Sequence, residues 1–247
     1  TRPTIDLTPD AAQLPHPWAP YASQICALMP EPYLGGGRGF HPQKEYIQLL
    51  ARFCREHDLV FIFDEVQANF GRTGSLFAFT EYGVEPDIVV LGKGLGNGVP
   101  VSAAVGRADL FANMHYGEAS DTWSANPLAS AAVLATLDEY ETTDVMGQAK
   151  KLSAVIEKGL LKLTELPTVA HIRGEGVVWG IECAPLGTTP ADAVAKACEE
   201  ACYRGDAQGR PIHPPGPRPG QGHPGSPPPA TPRRAAGEDH RRRYSGV

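Results

Sequence analysis

The stretch Leu59-Val60-Phe61-Ile62-Phe63-Asp64-Glu65-Val66-Gln67 decides the fold of this chain. Its first five residues form an unbroken apolar run, branched and aromatic, about one strand long, and such a run reads as a strand buried in a sheet. The run stops at Asp64. A second, Ile88-Val89-Val90-Leu91, stops at Gly92-Lys93-Gly94, and a third, Ile25-Cys26-Ala27-Leu28-Met29, leads to Glu31-Pro32. Between the runs, Gln43–His57 repeats apolar residues at helical spacing (Tyr46, Leu50, Phe53 and Cys54), and Ser75–Tyr82 predicts a shorter helix stopped by Gly83. Strand, helix, strand, helix, strand predicts an α/β layer with a mostly parallel sheet. Its three strands would deliver Glu31, Asp64 and Lys93 to one edge, where open sheets of this kind bind ligands.

A carboxylate and an amine at the ends of buried strands are expensive unless each finds a partner. Taken singly, Asp64 could cap the next turn and Lys93 could be solvated. Taken with Gly71-Arg72-Thr73-Gly74, Glu85-Pro86-Asp87 and the glycine-rich Gly92-Lys93-Gly94-Leu95-Gly96-Asn97-Gly98, they point to a shared site. Pyridoxal phosphate needs such a pair, an amine to hold its aldehyde as a Schiff base and an acid to keep its ring nitrogen protonated.

From about Glu31 to Glu182 the chain resembles the class III pyridoxal-phosphate-dependent aminotransferases, the group of the 4-aminobutyrate, ornithine and acetylornithine enzymes. The resemblance is densest where Phe63-Asp64-Glu65-Val66-Gln67, Phe70-Gly71-Arg72-Thr73-Gly74, Pro86-Asp87 and Gly92-Lys93 follow the family's order and spacing. It implies the type I fold of pyridoxal-phosphate transferases, a large domain with a mostly parallel sheet and part of a small α+β domain. It also implies that Lys93 holds the cofactor and serves as the catalytic base and acid, that Asp64 contacts the ring nitrogen, and that Gln67 bonds the phenolic oxygen. Val66 would pack on one ring face, a role compatible with plain core packing.

Thr122-Trp123-Ser124-Ala125-Asn126-Pro127 carries a further signal. Asn126 suits an N-cap and Pro127 the first turn of an Ala-rich helix, and by resemblance Thr122 would bind cofactor phosphate across a homodimer interface. The family usually has two glycines where Ser124-Ala125 stands, which bears on the local backbone because glycine tolerates angles that Ser and Ala resist. Glu31 is either a loop cap or a substrate-binding residue. The family's Gln-Gly-Glu after it is replaced by Leu34-Gly35-Gly36.

Helices are expected over Pro127–Glu141 and Asp144–Leu163, and short strands over Val169–Arg173 and Val177–Cys183 around Gly174-Glu175-Gly176. A last helix would be capped by Thr189, with Pro190 in its first turn and Val194, Cys198, Ala201 and Cys202 on one side. The expected division is a cofactor-binding large domain over 1–143, a small C-terminal domain over 144–210 and a disordered tail over 211–247. The tail holds ten Pro, six Gly and six Arg and almost no large apolar residues. The pattern breaks after Gly209-Arg210, as an out-of-frame reading of GC-rich codons would; the rival is a basic tail around Arg233-Arg234 and Arg241-Arg242-Arg243 for an acidic partner.

The 247 residues have a net charge of −6, no apolar run long enough to cross a membrane and no signal-like start, which predicts a cytoplasmic protein with no nucleic-acid or membrane partner. The five cysteines read as buried thiols; Cys198 and Cys202 share a helix face, but no zinc pattern accompanies them, so no metal is expected. By resemblance, a phosphate loop and an aromatic lid would precede Thr1, and the arginine that grips a substrate carboxylate has no counterpart. Two readings follow. One is transfer of an amino group, from a donor with an ω amine, to a 2-oxo acid; decarboxylation and aminomutation share the same machinery. The other is a non-catalytic remnant that associates with an intact subunit.

Overall fold

The computed structural model describes residues 24–34, 40–119 and 121–204. The tail over 211–247 and the segment before residue 24 lie outside them. Four strands form one sheet in the order β1-β2-β3-β4: β1 is Ala27–Leu28, β2 Val60–Asp64, β3 Ile88–Leu91 and β4 Ala103–Gly106. β1, β2 and β3 are parallel, with Ala27 opposite Val60, Ile62 opposite Ile88 and Asp64 opposite Val90. β4 runs antiparallel to β3 and was not anticipated from sequence. Its Ala103-Ala104-Val105-Gly106 is weakly apolar, and Gly106 is needed there because a Cβ would stand 2.4 Å from the Asp87 carbonyl oxygen.

The helix α1, Lys44–Glu56, buries Ile47, Leu50, Ala51 and Cys54 against Phe61 and Phe63 of β2. The buried stripe is thus rotated from the expected face: Tyr46 and Phe53 lie at its margins, half-exposed. α2 is only Phe79–Tyr82, shorter than Ser75–Tyr82, and ends on Gly83 at φ 64° in a left-handed cap. Tyr82 donates its hydroxyl to the Pro32 carbonyl at 2.8 Å, tying α2 to the loop that follows β1.

A short helix α3, Ala108–Phe111, follows β4. α4 spans Pro127–Thr142, with the Asn126 side chain accepting from the Ala129 amide at 2.9 Å, and α5 spans Val145–Leu161, with Asp144 accepting from Gly147 at 3.0 Å. β5 (Val169–Glu175) and β6 (Val178–Cys183) form an antiparallel hairpin whose turn is Gly176-Val177, so Gly174 and Glu175 belong to the strand. The hairpin turn packs onto the loop after β2: Val177 donates its amide to the Arg72 carbonyl at 3.0 Å. α6, Ala191–Arg204, begins one residue later than expected, since the Pro190 carbonyl accepts the first helical bond, from Val194.

The chain divides into two compact units, 1–196 and 197–247. The second is described only as the end of α6. Of the five thiols only Cys54 is buried; Cys183 is half-buried, and Cys26, Cys198 and Cys202 are exposed, because the apolar stripe of α6 buries only Val194 among its described residues. Among the described residues no helix is long and apolar enough to cross a membrane.

Candidate active site

Strand phase determines which acid at the end of β2 is buried. Phe61 and Phe63 face the core, and the period-2 alternation sends Glu65 after them. Glu65 is fully buried; its two carboxylate oxygens accept from the Ala78 amide at 3.0 Å and the Phe79 amide at 2.7 Å. Burial pushes its pKa up against these two bonds, with the neighbouring Asp64 adding to the rise. Asp64, on the other phase, is half-buried and accepts from the Val66 amide at 3.0 Å. The Glu65 carbonyl then takes both the Ala68 amide (3.0 Å) and the Asn69 amide (2.8 Å), closing the turn that presents Val66 and Gln67.

The amine-bearing loop meets this turn directly. After β3, Gly92 is extended, and Lys93 adopts φ 46° at the head of a single 3-10 turn, Lys93–Leu95. A left-handed lysine is strained, and such strain concentrates at functional positions. Lys93 Nζ donates to Gln67 Oε1 at 2.9 Å. A Cβ on Gly92 would lie 3.3 Å from Val66 Cγ1, so its absence lets Val66 close over the loop. Lys93 is exposed, contrary to the expectation of a buried amine; the buried ion of this corner is Glu65. The exposure follows from the left-handed turn, which carries the side chain out past the end of the sheet to Gln67.

Asp64, Val66, Gln67 and Lys93 are therefore gathered at the carboxyl end of β2 and β3. Glu31 lies three residues beyond β1, at the same end of the neighbouring strand, and is half-buried. Thr122 lies in the exposed turn before α4, where Asp121 accepts from the Trp123 amide at 2.7 Å and from the Ser124 hydroxyl. These bonds, the Ser124 hydroxyl first, hold the Asp121 carboxyl below its usual range. In the same turn Ala125 stands at φ 51°, the left-handed region that glycine occupies at little cost.

Two residues of this corner were not anticipated. Glu65 could have been found by extending the alternation of β2 by one step. Asn69 gave no local signal: it is buried, and its Nδ2 donates to the Gly92 carbonyl at 3.0 Å across 23 positions of sequence. The donor set suits pyridoxal phosphate: a primary amine, an amide beside it, a carboxylate at the adjoining strand end, and a branched side chain lying over a bare glycine. Among the described residues there is no group of three His, Cys, Asp or Glu that could hold a metal ion.

The sequence pattern described as Aminotransferase class-III matches residues 16–218. The chain belongs to the class III aminotransferase family. It is 39% identical over 166 residues to an acetylornithine aminotransferase of Agrobacterium fabrum, covering 66% of this chain and 42% of that protein. It is 37% identical over 163 residues to a leucine/methionine racemase of Thermococcus litoralis, covering 66% and 37%. Among solved structures, an acetylornithine aminotransferase from Elizabethkingia anophelis superposes with a TM-score of 0.66 at 31% identity, over 72% of this chain and 47% of that one. The class III chain thus has the type I fold of pyridoxal-phosphate transferases, and it spans 37–42% of the length of these two curated relatives.

Proposed function

We propose that this chain carries the cofactor-holding core of a class III aminotransferase, one that moves an amino group from a donor with an ω amine to a 2-oxo acid. The observation that carries the reading is the 2.9 Å bond from Lys93 Nζ to Gln67 Oε1 beside the end of β2, where Asp64 stands. Pyridoxal phosphate, when bound, supplies an aldehyde carbon and an electron-drawing ring. Lys93 would hold that aldehyde and, once a substrate amine has displaced it, would take a proton as a base from the carbon that bears the donor amine and deliver it as an acid to the carbon that had been the aldehyde. Asp64 would keep a proton on the ring nitrogen, Gln67 would donate its amide to the phenolic oxygen while orienting Lys93, and Val66 would pack against the ring.

Thr122 is assigned to the phosphate of a second subunit and Glu31 to substrate. A homodimer is supported by the apolar side chains exposed around Thr122, with Trp123 78% and Leu128 73% exposed. The division into a large domain over 1–143, a small domain over 144–210 and a tail from 211 is retained as part of the proposal. A cytoplasmic location is supported by five cysteines that all carry thiols.

The test is absorbance. Adding pyridoxal phosphate to the purified chain should produce a visible band that sodium borohydride and Lys93→Ala both abolish, and a chain that develops no such band would refute the assignment. The racemase relative supports a second reading, in which the proton returns to the carbon it left. Omitting the 2-oxo acid separates the two, since a racemase needs none.

A further inference from the structure

We infer that Asn69 is a positioning residue for Lys93, holding the amine in the direction that lets it meet the cofactor; the inference rests on the role proposed for Lys93. Asn69 is 4% exposed. Its Nδ2 donates to the Gly92 carbonyl at 3.0 Å, and that carbonyl belongs to the peptide plane that joins Gly92 to Lys93. The same oxygen takes the Leu95 amide at 3.0 Å, so the plane is held from two sides. On the other side of Lys93, a Cβ on Gly94 would lie 3.0 Å from Asn69 Oδ1 and 3.1 Å from Phe70 Cβ. The Asn69 amide thus spans the lysine from Gly92 to Gly94, and its close approach on the Gly94 side relies on the absence of a side chain there.

Rotation of Lys93 about its N–Cα bond is measured from the plane that Asn69 anchors. With that plane fixed, φ 46° sends the side chain to Gln67, and a return to negative φ would turn the Cβ away from it. Asn69 and Gln67 stand two residues apart on the turn closed by the Glu65 carbonyl, so one rigid turn fixes both the backbone and the amine of Lys93. Asparagine suits the position because the contact requires a neutral donor. A carboxylate there would set oxygen against oxygen and leave the Gly92 carbonyl with one donor fewer.

The test compares the full chain with Asn69→Ala, Asn69→Asp, Asn69→Ser and the exposed control Asn113→Ala. Two quantities are read by peptide mass spectrometry. The first, in cofactor-free protein, is the rate of Lys93 acetylation by acetic anhydride relative to Lys44 from pH 6 to 10. The second is the pyridoxal phosphate concentration that half-saturates borohydride-fixed labelling of Lys93. Loss of one buried bond predicts that Asn69→Ala and Asn69→Asp raise the half-saturating concentration about tenfold, and that Asn69→Asp also moves the pH profile of Lys93 acetylation upward. Asn69→Ser, which restores a donor, should recover most of the loss, and Asn113→Ala should match the parent chain. The Asp and Ser variants keep the test open if the Ala variant does not fold. Unchanged Lys93 acetylation and labelling in Asn69→Asp overturns the inference. If the parent chain fixes no cofactor at Lys93 while Asn69→Asp still alters its acetylation profile, positioning stands and the proposed role of Lys93 fails.

Discussion

Replacing the fully buried Glu65 by Ala removes the two acceptors that serve the buried Ala78 amide at 3.0 Å and the part-buried Phe79 amide at 2.7 Å. Each buried N–H left unmet costs about 1–3 kcal/mol. Against this stands the desolvation of the carboxylate itself, which the variant no longer bears, so we expect a net loss of about 2–4 kcal/mol at pH 7. Glu65→Gln keeps the volume and one acceptor but turns an NH2 toward the second amide, and should lose about half as much. The pH dependence has a definite sign. The fold raises the Glu65 pKa from its ordinary 4.5, so the folded state favours the protonated acid. Its contribution to stability is complete below pH 4.5 and is lost as pH rises through the raised value. The stability of the parent chain minus that of Glu65→Gln should therefore fall as pH rises above 4.5. Urea unfolding followed by circular dichroism, repeated from pH 4 to 8, measures both effects. An Ala variant within about 0.5 kcal/mol of the parent, well inside the cost of one orphaned amide, would refute the capping role, and a flat or rising difference would refute the raised pKa.

Ala125→Gly should stabilise the chain by about 0.5–1 kcal/mol, because the left-handed penalty at φ 51° exceeds the extra unfolded-state freedom of glycine; thermal unfolding reads this as a higher midpoint. Gly176→Ala would place a Cβ 2.4 Å from the Thr73 carbonyl carbon and 2.5 Å from the Gly74 nitrogen. It should cost at least about 3 kcal/mol and expose the hairpin turn to limited proteolysis. Tyr140→Phe removes the 2.6 Å bond to the Phe70 carbonyl, at a residue whose own φ is 53°, and should lower stability by about 1 kcal/mol in the same unfolding assay.

Much of this architecture was legible before any coordinates. The parallel core was visible because Leu59–Phe63 and Ile88–Leu91 are long enough in unbroken apolar character to be buried strands, and α4 because Asn126-Pro127 is a start signal whose bonds are local. β4 was missed because an edge strand with an exposed Val105 carries little hydrophobic signal. The exposed cysteines of α6 were misread because a shared helix face says nothing about whether another element covers it.

The sequence by itself determined the parallel strands of the core, the placement of Asp64 and Lys93 at the carboxyl ends of two of them, and the family to which the motifs belong. Those features follow from residue type and spacing within one element. The tertiary structure alone decided that Glu65 is the buried acid, that Lys93 is exposed and left-handed, and that Asn69 grips the peptide before it. These depend on which groups meet across 23 or more positions, or between a loop and a helix start, and only packing brings such groups within bonding distance.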